Sequence, residues 1–191
     1  VILLFALAGC WPDVRGPGYA PWDSAAEAQQ PNVVHVSEGG GVTRTELDAG
    51  DALAWVYVDA DDGLAELDGP RPGWDLAFSR QRIQLDGGIS GDGGVELVAV
   101  EAATLEDVAA IPTGGWITDQ ADDDDENTEP EYAFDVWFDY DSESHVLTPK
   151  PLVFVVHTGD GAYVALDILD YYDDAGSSGL FTFRWMLLSA R

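Results

Sequence analysis

The chain has 191 residues, 46% of them apolar, which is enough for one domain with a sizeable core. Eight Lys and Arg against 36 Asp and Glu leave a formal charge of −28, which repels nucleic acid before any groove chemistry can act. Seven each of Trp, Tyr and Phe exclude a disordered acidic chain, and a single cysteine excludes internal disulfides and multi-thiolate zinc sites.

The first ten residues are an apolar run closing on Leu7-Ala8-Gly9-Cys10. The run is too short to span a membrane, which takes ~20 apolar residues, and fits the apolar and cleavage regions of an export signal. Its end resembles the lipobox of bacterial lipoproteins, in which the cysteine receives lipid, so Cys10 is the candidate lipidation site. No Lys or Arg precedes it, so either the basic start of such a signal is missing or the start site is misassigned. Trp11 rather than Asp follows the cysteine, which leans toward delivery to the outer membrane. Residues 11–32, with Pro12, Gly16, Pro17, Gly18, Pro21 and Pro31, make a poor strand or helix and a good flexible tether.

From residue 33 to 191 the pattern is β. Runs at 53–58, 95–100, 152–158, 162–169 and 180–188 are rich in Val and aromatic residues and are separated by Gly, Asp and Pro clusters. The parity of Trp74, Leu76 and Phe78 differs from that of Ile83 and Leu85, which predicts a β-bulge near 79–82. Thr104 followed three residues later by Asp107, with Leu105, Val108 and Ile111 at helical spacing, predicts one short helix or turn. Residues 119–131 form an acidic loop. Tyr132, Phe134, Val136, Phe138 and Tyr140 alternate with Ala133, Asp135, Trp137, Asp139 and Asp141, the period of a half-buried strand. Gly159-Asp160-Gly161 predicts a hairpin turn. The expected architecture is all-β: a single, mostly antiparallel β-sheet domain with at most one short helix, following the lipoprotein signal and linker.

Ordered blocks of this body resemble the HmuY-like lipoproteins. They are Ala54 to Val58, Gly73 to Arg80, Ile83 to Gly91, Trp137 to Asp141, His145 to Lys150, Thr158 to Tyr163, Ile168 to Tyr172 and Gly179 to Trp185. The resemblance covers roughly residues 50 to 188. It implies an all-β fold, anchoring through lipid at the outer membrane or cell surface and, in the studied members, capture of haem for iron acquisition; an outer-membrane receptor is then a possible partner. Such relatives hold iron with a His pair or a Met pair.

The candidate iron ligands in this chain are His145, His157 and Met186, His and Met both being known haem ligands. His35, beside the tether, reads as structural. A hairpin centred near Pro151 would set His145 and His157 opposite one another, with Cβ atoms ~5 Å apart; a wide crossing at the prolines would separate them. Each also has a plainer role. His157 fits a hydrogen-bonded core position, His145 an exposed turn, and Met186 a gap-filler in the last strand. Arg80, Arg82 and Arg184 are the candidates to meet haem propionates, with Arg80 and Arg82 sharing a parity that would let them point together.

No G-x-S-x-G, H-E-x-x-H, G-x-G-x-x-G or P-loop pattern occurs, and a carboxylate pair carries no information among 36 acids, so enzymatic activity is not expected. Asp59, Asp61 and Asp62, or the acidic loop, offer oxygen ligands for weak calcium binding without EF-hand spacing. Two functional classes remain: a lipid-anchored protein that binds haem or a related porphyrin, and a surface interaction lipoprotein that keeps only the scaffold.

Overall fold

The computed structural model describes residues 31–102, 104–108, 110–122 and 130–189. The lipobox with Cys10, nearly all of the tether and the centre of the acidic loop lie outside the described residues. Twelve strands run in chain order: β1 (Val33–Gly39), β2 (Val42–Asp48), β3 (Val56–Asp59), β4 (Ala65–Leu67), β5 (Leu76–Ser79), β6 (Arg82–Leu85), β7 (Glu96–Val100), β8 (Phe138–Asp141), β9 (Val146–Pro149), β10 (Val153–His157), β11 (Tyr163–Tyr172) and β12 (Ser178–Leu188). All pairings between them are antiparallel. They form a six-stranded sheet, β1-β2-β12-β11-β10-β7, a four-stranded sheet, β4-β3-β5-β6, and a separate pair, β8-β9.

The two larger sheets face one another across one core. Leu47, Val164, Leu166, Phe181 and Phe183 come from the large sheet, and Val58, Leu76, Phe78, Ile83 and Leu85 from the small one. Alternation along each strand puts these residues on the inner face. Phe78 seals the contact, its ring stacked on Phe183 at 5.9 Å and edge-on to Phe181 at 5.3 Å. The other face of the large sheet carries a smaller cluster of Val42, Leu105, Val153 and Ala165, joined by Met186. Leu105 arrives there on a 3-10 turn, Leu105–Asp107, with the predicted capping box: Asp107 Oδ2 accepts the Thr104 backbone N–H at 3.1 Å.

Several expectations change. The parity break after Phe78 is not a bulge but a hairpin: Ser79 pairs with Arg82, and Arg80-Gln81 is a two-residue turn. Partners across such a turn have opposite parity, so Leu76 faces Leu85 and Phe78 faces Ile83 on a single apolar side. The alternating stretch from Tyr132 is a strand only from Phe138 onward. Asp135–Trp137 is a 3-10 turn instead, because Phe134 and Trp137, three residues apart, are the side chains that enter the core while Val136 stays outside. The segment through Pro149 and Pro151 is a crossing between sheets, since β9 pairs with β8 whereas β10 pairs with β7 and β11. The prolines favour this, as neither can donate to a continuing ladder.

Candidate functional site

The crossing decides the fate of the candidate ligands. His145 sits in the β8-β9 turn, beside the Tyr172 end of β11, whereas His157 stacks on Tyr163 at its other end, with ring centroids 4.5 Å apart. Ten extended residues separate those ends by about 30 Å. No single iron can take both histidines, and the close pairing across a hairpin does not occur. His157 is instead tied to Glu96, Nδ1 to Oε1 at 3.3 Å, and is flanked by Trp116 at 5.9 Å. Met186 pairs with Ala165 and packs in the small outer cluster, where a gap-filling role suffices for it. His35 bonds Thr45, which also accepts the Trp185 indole N–H; burial lowers its pKa, as suits a neutral structural ring.

The arginines separate too. Arg184 is held by Glu38 at 2.8 Å, Glu106 at 2.7 Å and Asp167 at 3.8 Å on the outer face of the large sheet. Arg82 lies over the Trp55 ring, 5.5 Å from its centroid, and lines a cavity of about 310 Å³ shared with Glu131 and Asp135. Arg80, two residues earlier but across the turn, lines a second cavity, which shares Gln81 and Phe138 with the first.

That second cavity, about 580 Å³, is the candidate site. Four separate segments build it. The β5-β6 turn gives Arg80 and Gln81; the β8-β9 pair gives Phe138, Tyr140, His145 and Leu147; the end of β11 gives Tyr171 and Tyr172; the following turn and β12 give Gly176 and Ser178. Four aromatic rings thus line one cleft, and its volume is in the range of sites for drug-sized and cofactor-sized ligands. Behind it Trp137 is buried against Phe138 at 4.7 Å and Tyr171 at 5.6 Å, and its indole N–H donates to Gln81 O at 3.0 Å, which fixes the wall to the β5-β6 turn.

His145 is placed by its own turn. Asp141 Oδ1 accepts the backbone N–H groups of Glu143 at 2.8 Å and Ser144 at 3.3 Å, which holds the Asp141 carboxyl below its usual pKa, and His145 N–H closes the loop on Asp141 O at 2.8 Å. His145 itself takes φ 58°, a left-handed conformation uncommon for a residue with a side chain. Its Nδ1 is hydrogen-bonded to Tyr140 Oη. When Nδ1 carries the proton and donates to that oxygen, Nε2 keeps its lone pair for a metal, which is how haem and metal histidines are commonly oriented. Of the lining residues His145 alone offers a nitrogen or sulfur ligand of the kind that binds haem iron, and the aromatic walls suit a flat macrocycle, so the cleft fits that group.

Tyr171 and Tyr172 are not among the candidate site residues that the sequence offers. The signal for their role is the doublet itself: consecutive residues of a regular strand face opposite ways, and here shifts of register between Ile168 and Asp170 and between Asp170 and Tyr172 bring both into the lining. Elsewhere, carboxylate oxygens of Asp59, Asp61 and Asp75 lie within 4.8 Å of one another. Asp75 was not in the sequence grouping; its two oxygens accept N–H bonds from Ala60 at 2.8 Å and Gly159 at 2.9 Å.

The fold is an all-β sandwich with an open aromatic cleft. The family model for the HmuY protein matches residues 51–185, and the chain belongs to that family. Solved structures agree in fold. A Bacteroides fragilis protein assigned as a lipoprotein is 18% identical with a TM-score of 0.65, over 86% of this chain and 100% of that one. A Bacteroides vulgatus protein assigned as HmuY-like and haem-binding is 15% identical with a TM-score of 0.62, over 82% and 97%. The apo HmuY analogue of Tannerella forsythia is 15% identical with a TM-score of 0.60, over 83% and 97%. Among curated proteins no significant match is found. No helix among the described residues is long and apolar enough to cross a membrane.

Proposed function

We propose that this protein is a lipid-anchored binder of haem or a related porphyrin, and that the cleft between the β8-β9 pair and the end of β11 receives the macrocycle. The observation that carries this is the grouping of Phe138, Tyr140, Tyr171 and Tyr172 around a histidine whose Nδ1 is held by Tyr140. Family membership and a similar structure assigned as haem-binding support it. His145 would contribute Nε2 to the iron, and the rings would cover the porphyrin faces and exclude water. The bound group would supply iron to be carried, with no chemistry asked of the protein.

Lipidation at Cys10 and display at the outer membrane or cell surface, where a receptor could take the ligand on, belong to the same proposal. Its support is the Leu7-Ala8-Gly9-Cys10 sequence and the lipoprotein assignment of a structural relative. Cys10→Ala is expected to move the protein from the membrane to the soluble fraction.

The binding test is a titration of the full chain with ferric haem and with metal-free protoporphyrin, following the Soret band. Saturable shifts are expected with both. His145→Ala should leave metal-free binding within about threefold while weakening ferric haem tenfold or more and changing its spin-state bands, consistent with loss of an axial ligand. A haem spectrum identical to that of free haem would leave only the scaffold-type surface lipoprotein standing.

A further inference from the structure

In a chain of 36 acids and 8 bases, a basic side chain is expected to meet a carboxylate. Arg184 meets three, and Lys150 meets Asp139 at 3.5 Å. Arg80 does not. Among the described residues its guanidinium bonds go to Gly50 O and Ser178 O, both 3.1 Å from Nη1, and to Ser178 Oγ, 2.6 Å from Nη2. These acceptors carry no net charge, so they fix the guanidinium without cancelling it, and they leave the Nε edge of the fork uncommitted.

Three further features hold that charge at the cleft. Arg80 takes φ 53°, so of the three non-glycine residues with positive φ among the described residues, two, Arg80 and His145, line this one cavity. Gly179 lets the backbone close on the guanidinium, since a Cβ there would stand 3.3 Å from Nη1. Tyr171 senses the charge: burial pushes its hydroxyl pKa up, and Arg80 opposes that push. A half-buried cation with no carboxylate partner among the described residues, beside four aromatic rings, is complementary to a flat molecule bearing an anionic edge.

We infer that Arg80 is the anion-recognising group of the cleft and that it selects a carboxylate-bearing planar ligand over a neutral one of the same shape. This rests on the porphyrin reading above. The whole-molecule charge works against it: at −28 the protein repels any diacid, so preference for one requires a local cation.

The test changes the ligand first and leaves the protein intact. The full chain is titrated with metal-free protoporphyrin IX, which has two carboxylates, and with its dimethyl ester, which has none, following tryptophan quenching in the same trace detergent. Without metal, His145 ligation plays no part. The diacid is expected to bind roughly tenfold or more tightly, as befits hydrogen bonds between charged partners, with the gap narrowing as salt is raised. Arg80→Met, checked for folding by circular dichroism, should erase the gap, and Arg80→Lys should keep part of it. Equal binding of diacid and diester, or a gap that survives in folded Arg80→Met, would overturn the role of Arg80 and leave porphyrin binding in place. Failure of both porphyrins to bind would overturn the role of Arg80 and the porphyrin reading together.

Discussion

Tyr140 Oη and His145 Nδ1 are joined across the mouth of the β8-β9 turn, so the histidine ring is oriented before any ligand arrives. Both side chains are exposed, and free rotation of the imidazole would otherwise cost a ligand the entropy of ordering it. Tyr140→Phe keeps the aromatic wall and removes only the oxygen. Ferric haem affinity is expected to fall by about 3- to 30-fold and the reduction potential of the bound haem to move, with metal-free protoporphyrin affinity unchanged. Potentiometry beside the two titrations separates this from a loss of packing, which would weaken both ligands alike.

Gly179 carries φ +105°, and a Cβ at this position would stand 2.7 Å from Gly50 Cα. Both the backbone and the space therefore require glycine, and the neighbour is main chain that cannot swing aside. Gly179→Ala is expected to lower the urea midpoint by the equivalent of about 1–3 kcal/mol. It should also loosen the Arg80 clamp, so the diacid preference of the cleft should shrink together with stability. A midpoint matching the parent would mean that the start of β12 can withdraw from Gly50 at no cost.

The β character was legible because each half-buried strand writes its own pattern, and the Thr158 to Ala162 turn announced itself by glycines; β10 and β11 pair as those glycines predict. Where one pattern served two structures, the sequence was ambiguous. Tyr132, Phe134, Val136 and Phe138 alternate as a strand would, yet Phe134 and Trp137 are three apart, and the tightness of the core against Phe154 and Phe181 chose the 3-10 turn. The parity change after Phe78 suited a bulge or a reversal, and Arg80, lacking the glycine that usually marks a reversal, hid the hairpin. The cleft was the least legible feature. Its walls come from four segments between residues 80 and 178, and only packing brings them together. His145 and Arg80 were visible singly, Tyr140 only as a strand position; that His157 lies at the far end of β11 depended on the crossing at Pro149 and Pro151.

Asp75 is 2% exposed, and burial raises its carboxyl pKa to about 6, with Asp61 and Asp59 pushing the same way and the N–H groups of Gly159 and Ala60 opposing. A carboxyl whose folded pKa exceeds its unfolded value binds more protons in the folded state between the two. Its contribution to stability is therefore fully present below about pH 4, falls as pH rises to about 6, and is level above that. Asp75→Asn removes this titration, though its amide cannot accept from both backbone donors and costs stability at every pH. The expected signature is a flatter slope of unfolding free energy between pH 4 and 6, by at most about 3 kcal/mol over the window. Parallel slopes in chemical denaturation of parent and variant would show that Asp75 ionises normally.

Tyr172 Oη accepts the Leu147 backbone N–H at 2.8 Å, a polar tie between the β8-β9 pair and the large sheet. The pair has only two strands, which seldom hold together alone, so its position against β11 depends on such ties and on Leu147 and Phe138 packing at the core edge. Tyr172→Phe leaves the ring in the cleft wall and strands one N–H, at a global cost of about 1 kcal/mol or less because Leu147 is only partly buried. The local effect should be larger. Amide exchange at Leu147 and its neighbours in β8 and β9 is expected to speed up several-fold while β11 and β12 keep their protection, and both porphyrin forms should bind more weakly, since both need the pair to form one wall. Unchanged exchange in the pair, measured residue by residue, would mean that apolar packing alone seats it, and the weaker binding expected here would then not occur.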